Sequence, residues 1–290
     1  MQIAVVDNKD AGHKKSAVDE AGSCRFCGTK LHHTFVDLGM SPLCQTHISP
    51  EQLNHMEPFY PLRAYVCHEC FLVQLEEFVA PGDIFSDYAY FSSYSDSWVE
   101  HARRYAEAMT KRFGLNAKSQ VVEIASNDGY LLQHFVRTGI PVLGVEPAAN
   151  IAQVAREKGI ATTVRFFGRQ TAREIARETG QADLLLGNNV LAHVPDLNDF
   201  VAGMKILLKA QGVITMEFPH LYRLMDENQF DTIYHEHFPI FRSLPRRKSL
   251  QRMGSRFLMS KRSKPMEDRC GSLPVTQTIV RCRFPTASTR

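Results

Sequence analysis

Short apolar runs alternate with helical segments from Gln120 to Phe218, and few folds accept that pattern. Strands are expected at 120–124, 141–146, 161–165, 182–187 and 212–218, with helices near 130–138, 149–158, 169–178 and 197–208. Two parallel strands cannot be joined by a tight hairpin and need a crossover, usually a helix. The alternation therefore predicts an α/β fold built on a doubly wound parallel sheet, with ligands at the carboxyl ends of its strands. The sequence contains no internal repeat.

The first of these strands runs into Glu123-Ile124-Ala125-Ser126-Asn127-Asp128-Gly129, and a helix is expected from Tyr130. A turn of small residues lets the backbone approach a ligand closely, with helix N-terminal amides available to its polar groups. The second strand ends in Glu146-Pro147, and Glu146 lies 23 residues beyond Glu123. An acidic residue at that place accepts hydrogen bonds from both hydroxyls of a ribose. Asp128-Gly129 alone would also suit an ordinary strand–helix turn with a capping Asp. Taken with the strand context and Glu146, it points to a nucleoside site made by Glu123, Ala125, Asn127, Asp128, Gly129, Glu146 and Pro147.

Dinucleotide dehydrogenases also carry an acid there, but they favour G-x-G-x-x-G for passage of a pyrophosphate. This turn has one glycine, so a phosphate-free cofactor such as S-adenosylmethionine fits better than NAD. After the fourth strand, Gly187-Asn188-Asn189-Val190 stands where enzymes that methylate base or amide nitrogens carry Asn/Asp-Pro-Pro-aromatic. A small-molecule acceptor is expected, with Asn188 and Asn189 beside the cofactor.

Ahead of this core, residues 1–22 show no periodicity and read as a flexible leader. Residues 23–80 carry two CxxC knuckles, Cys24-Arg25-Phe26-Cys27 and Cys67-His68-Glu69-Cys70. Each knuckle sets two sulfurs on one tight turn, and four thiolates satisfy the tetrahedral preference of Zn2+. The competing reading is four reduced thiols that merely lie near one another, with His32, His33 or His68 as substitute ligands and Cys44 as a buried thiol. No apolar run is long enough for a membrane span or a signal-peptide core, so a cytoplasmic monomer without membrane partners is expected. Residues 81–115 form an aromatic linker and a helix, with Trp98, Ala102, Tyr105, Met109 and Phe113 recurring at helical spacing as a packing stripe. From spacing alone, Asp87 to Ser95 reads as packed linker.

The core, 116–238, closes on Tyr234-His235-Glu236-His237-Phe238. A zinc-protease reading of this run is poor, because that chemistry wants His at i and i+4 of a helix. With Asp37-Leu38-Gly39-Met40-Ser41-Pro42-Leu43, the Tyr88 to Ser95 segment, the Glu123 turn and Glu217-Phe218-Pro219-His220, the chain resembles the sugar C-methyltransferase family over about residues 23–238. The resemblance implies a class I methyltransferase sheet beside a zinc module, and methyl transfer to carbon 3 of a nucleotide-linked 4-keto-deoxysugar. It implies His237 as the base that makes the enolate, Glu236 as a residue that binds or polarises substrate, and Tyr88 as a contact to the sugar or the enolate oxygen. A histidine suits a base needed near neutral pH. His235 and His237 would otherwise be satisfied structural histidines at a strand–loop junction.

After Phe238 the composition changes. Residues 239–290 hold 13 basic and 2 acidic side chains, against 21 and 29 in residues 1–238. Read one frame over, the codons of this stretch can encode a helix ended by Gly, an alternating strand and the family's His-Gly-Gly-Ser-Leu motif. The tail is therefore expected to be frameshifted and disordered, the sheet incomplete at its C-terminal end, and this copy impaired. Its basic charge then says nothing about nucleic acid, and none is expected as a partner. Two other readings stand behind the methyltransferase: a nonenzymatic remnant whose zinc module binds a partner, and a zinc-ribbon RNA methyltransferase. The latter is ranked last because residues 1–238 are acidic.

Overall fold

A computed structural model describes residues 22–44, 47–85, 88–241, 256–259 and 275–283. The segment carrying the CxxC knuckles folds as an antiparallel sheet of β1 (His33–Ser41), β2 (Tyr60–Val66) and β3 (Val73–Leu75). A short helix α1 (Pro81–Phe85) and the long α2 (Asp96–Phe113) lead into the second unit. The Ser95 hydroxyl accepts the Trp98 amide to start α2, and Gly114 ends it in the left-handed conformation at φ 64°. Its stripe faces inward: Ala102, Tyr105, Ala106 and Met109 are buried, with Trp98 and Phe113 packed alongside.

The core then alternates β4 (Val121–Ile124), α3 (Leu132–Val136), β5 (Val142–Val145), α4 (Ala149–Glu157), β6 (Thr162–Thr163), α5 (Arg169–Glu178), β7 (Ala182–Asn188), α6 (Leu197–Leu207), β8 (Leu208–Pro219) and α7 (Leu221–Asp226). Every residue of β4 is buried, as a central parallel strand covered on both faces requires. Helix α3 is shorter than the sequence suggested, because Tyr130 and Leu131 are spent in tight turns before it. β8 begins at Leu208 rather than 212, directly from the end of α6 and with a register shift against β7.

In the sheet the strands run β6-β5-β4-β7-β8, all parallel, so the winding reverses between β4 and β7. Such a reversal opens a crevice at the strand carboxyl ends. Beyond β8 the sheet gains two more strands. β9 (Pro239–Ile240) belongs to the other sheet, while β10 (Arg256–Met259) and β11 (Val275–Arg283) extend this one in the order β8-β11-β10. β11 runs antiparallel to β8 from Val275↔Pro219 to Arg281↔Val213. A sheet cut short at β8 was expected. The open row of amides and carbonyls along β8 is instead paired by backbone from the tail, which needs strand geometry and not a particular side-chain pattern. The rest of 242–290 and the leader 1–21 lie outside the described residues.

The sequence divides the chain near residue 80, but packing joins the two parts. β9 pairs with β3 through Val73↔Ile240 and Gln74↔Pro239, and the Leu75 amide donates to the Phe238 carbonyl at 2.8 Å. Leu62, Ala64, Val73 and Leu75 share one buried cluster with Leu221, Leu224, Ile233 and Ile240. Among the described residues no helix is long and apolar enough to cross a membrane.

Candidate active site

A cavity of about 800 Å³ occupies the crevice at the carboxyl ends of β4, β5 and β7. Ala125, Asn127, Glu146, Pro147, Asn188 and Asn189 line one part of it. Ala125, Asn127 and Asn189 sit at φ 55°, 48° and 54°, a left-handed conformation that costs free energy for a side chain other than glycine. Bending the backbone this way at two strand ends exposes main chain to the cavity. The Glu146 carboxylate accepts the amides of Asn127 and Ala148, each at 2.9 Å, one on each oxygen. Burial pushes its pKa up, and the two amides oppose that.

Glu123, Asp128 and Gly129 are not on the cavity wall. Glu123 lies beneath it, wholly buried, with neither oxygen hydrogen-bonded to the described residues and its pKa raised by burial and then by Glu146 and Asp128. Asp128 is engaged by the Lys158 ammonium at 3.0 Å and by the Ser93 hydroxyl. Gly129, at φ 77°, has no room for a side chain, since a Cβ would run into Ile160. These three shape the turn from behind.

The 88–95 segment is more than packed linker. Asn127 accepts the Ser92 amide at 2.8 Å and donates to the Tyr90 carbonyl at 3.1 Å, and Asn150 donates to the Tyr88 carbonyl at 2.8 Å. The strap thus lies over the turn, with Tyr88, Tyr90 and Ser92 on the cavity wall. The lining suits S-adenosylmethionine. Glu146 offers acceptor oxygens, and Asn188 Nδ2 and Asn189 Oδ1 are buried with no partner among the described residues. The volume is that of a small-molecule site.

Tyr88, His193, Tyr234 and His237 line the cavity elsewhere. His237 is held at both ring nitrogens, with Nδ1 2.7 Å from the Thr232 carbonyl and Nε2 2.8 Å from the Tyr234 hydroxyl. A carbonyl only accepts, so Nδ1 carries the proton and Nε2 presents a lone pair, to which Tyr234 donates. Burial lowers the His237 pKa to about 4, below the near-neutral value expected of a histidine base, which keeps the ring neutral but makes it a weaker base than expected. His193 packs on it, ring centroids 4.8 Å apart, and burial followed by the His237 charge lowers its pKa to about 3.

Glu236 is buried but off the cavity wall. Its Oε1 accepts the Cys44 thiol at 3.0 Å, and its Oε2 lies 3.9 Å from His193 Nδ1. Burial raises the Glu236 pKa. Cys44 is likewise pushed up to about 12 by burial and by the Glu236 carboxylate, so it is an un-ionised donor. His235 points the other way, packs against Tyr60 and Phe78, and meets the Pro61 carbonyl at 3.2 Å. It is a structural histidine.

The sulfurs of Cys24, Cys27, Cys67 and Cys70 all lie within 4.8 Å of one another, with Cys24–Cys70 and Cys27–Cys67 at 3.5 Å. A tetrahedron with zinc–sulfur bonds of about 2.3 Å has edges of roughly 3.8 Å, so the cluster fits the metal. His32 stacks on His68, which His33 meets edge-on, and Cys44 is with Glu236.

Sequence reasoning missed His193 and Tyr234 as cavity residues and Cys44 as the partner of Glu236. For Tyr234 the signal was its place three residues before His237; for the other two, which meet residues 44 and 192 positions away, there was no local signal.

Residues 98–257 match the family described as "Methyltransferase domain", and residues 24–85 match the one described as "Putative zinc binding domain". The chain is 36% identical over 218 residues to the C-methyltransferase NovU of Streptomyces niveus, covering 75% of this chain and 52% of that protein. It is 30% identical over 96 residues to a ubiquinone biosynthesis O-methyltransferase of Bartonella quintana, covering 33% of this chain and 39% of that one. The chain thus spans about half the length of NovU. Among solved structures, the magnesium protoporphyrin IX methyltransferase of Synechocystis with bound SAH aligns at TM-score 0.45 and 14% identity, over 63% of this chain and 83% of that one.

Proposed function

Since this chain belongs to the methyltransferase-domain family and its core takes S-adenosylmethionine, we propose that it methylates carbon, at position 3 of a nucleotide-linked 4-keto-deoxysugar, with His237 as base. The observation that carries the reading is the fixed tautomer of His237, whose Nε2 lone pair meets the Tyr234 hydroxyl on the cavity wall. A carbon beside a ketone becomes nucleophilic only when it loses a proton. That proton passes to Tyr234 Oη as the tyrosine hydroxyl proton moves to His237 Nε2, which leaves the tyrosine neutral and the histidine protonated. Glu236, close behind His193, sets a carboxylate near the two imidazoles. The bound cofactor supplies an electrophilic methyl group. Glu146 and the turn at Ala125 and Asn127 would hold it by its ribose, and Asn188 and Asn189 would take its remaining polar groups. Tyr88, on the strap, contacts the sugar.

NovU is named a C-methyltransferase, which supports carbon over oxygen as the acceptor. The compositional break after Phe238 belongs to the same reading, with turnover reduced in this copy. The experiment is incubation of the purified chain with methyl-labelled S-adenosylmethionine and a nucleoside-diphosphate 4-keto-6-deoxysugar, followed by NMR of the product. A slow product with the label bonded to carbon 3 is expected. Label on oxygen would refute the carbon acceptor, and fast turnover would refute the impairment.

A further inference from the structure

The first zinc knuckle is docked on the cavity wall by the residue between its ligands. The Arg25 guanidinium donates from Nη1 to the Pro195 carbonyl at 2.8 Å and from Nη2 to the Leu75 carbonyl at 2.7 Å. Its Cζ lies 5.1 Å from the centroid of the Phe238 ring. Pro195 lines the cavity two residues after His193, and Phe238 directly follows His237. The same knuckle is tied in twice more. Asn198 donates to the Phe26 carbonyl at 3.0 Å, and Gln74 accepts the Arg25 amide at 2.9 Å while donating to the Cys24 sulfur at 3.2 Å. A guanidinium is a rigid planar fork that pairs two carbonyls and covers a ring at once, which a lysine cannot do.

We propose that the zinc knuckle is coupled to the cofactor cavity through Arg25, a positioning residue that holds the Asn188–Asp196 loop and the His237–Phe238 strand start in place whenever the metal fixes Cys24 and Cys27. Four sulfurs on one ion set the knuckle turn, and the turn sets where the guanidinium reaches. Without the ion, the loop carrying Asn188, Asn189 and His193 loses its outer support. The coupling concerns the cofactor, so it stands whatever the methyl acceptor is.

Coupling between two sites is reciprocal, and that supplies a readout other than turnover. The full chain loaded with zinc is titrated with S-adenosylhomocysteine, and the equilibrium partition of zinc between the chain and a competing chelator is measured with and without it. In the parent protein, S-adenosylhomocysteine should tighten zinc binding about 10-fold, within the range typical of coupled sites. Arg25→Ala should keep its zinc, bind S-adenosylhomocysteine about 10-fold more weakly, and lose the effect of S-adenosylhomocysteine on zinc affinity. Arg25→Lys, which keeps the charge and loses the fork, should show partial losses of both. The proposal is overturned if S-adenosylhomocysteine leaves the zinc affinity of the parent unchanged, or if Arg25→Ala matches the parent in both measurements. Should Arg25→Ala fail to hold zinc, Arg25→Lys decides, and a parent-like effect of S-adenosylhomocysteine on its zinc affinity overturns the proposal.

Discussion

The Tyr234 hydroxyl donates to His237 Nε2 across 2.8 Å, on the wall of the cavity and with the far side of the imidazole fixed by a backbone carbonyl. In the proposed reaction the pair is a base with its proton path already assembled. Tyr234→Phe removes the first carrier while leaving the imidazole in its tautomer. Exchange of the sugar's carbon-3 hydrogen should slow by about 100-fold, the low end of general-base effects, with S-adenosylhomocysteine affinity unchanged. NMR in deuterated buffer measures the first and calorimetry the second.

The pH dependence follows from the lowered pKa of His237. In the proposed role the neutral ring is the active form, so protonation would inactivate it, and burial moves that loss from the usual histidine range down to about 4. Carbon-3 hydrogen exchange should therefore stay level from about pH 7.5 to 5.5, whereas an unperturbed histidine would inflect near 6.5. An inflection near 6.5 that disappears in His237→Asn would show that the ring is not buried as described.

Glu146 holds two backbone amides and faces the cavity. Glu146→Ala strands both amides and deletes the acceptors proposed for the ribose. A loss of about 2–3 kcal/mol, roughly 30- to 150-fold in S-adenosylhomocysteine affinity, is expected by calorimetry. Glu146→Gln should fall between.

Cys44 is a donor to Glu236 and not a nucleophile, because burial and the carboxylate keep it protonated. Cys44→Ala should reduce kcat/KM about 10-fold by leaving Glu236 short of a hydrogen bond. Cys44→Ser, which restores an O–H donor, should recover most of it. A serine variant as poor as the alanine variant would count against this role.

Much of the fold could be read in the sequence, because apolar periodicity fixes elements such as α5 and β7 locally. Glu146 was legible for the same reason: its distance from Glu123 follows from one strand–helix–strand unit. His193 and Cys44 were not, since they reach Glu236 from the loop after β7 and the loop after β1. Glu123, Asp128 and Gly129 carry the motif, yet they form its underside, because a tight turn has an inner face and the sequence does not mark it. The pairing of β9 with β3 and of β11 with β8 depends on open strand edges, which a reading of side chains does not reveal.

The most direct measurement is deuterium exchange at carbon 3 of a nucleoside-diphosphate 4-keto-6-deoxysugar, followed by NMR with His237→Asn beside the parent chain and S-adenosylhomocysteine present. Base catalysis by His237 predicts exchange in the parent and a loss of about 100- to 10,000-fold in the variant, with cofactor binding intact. Equal exchange in the two proteins would contradict it.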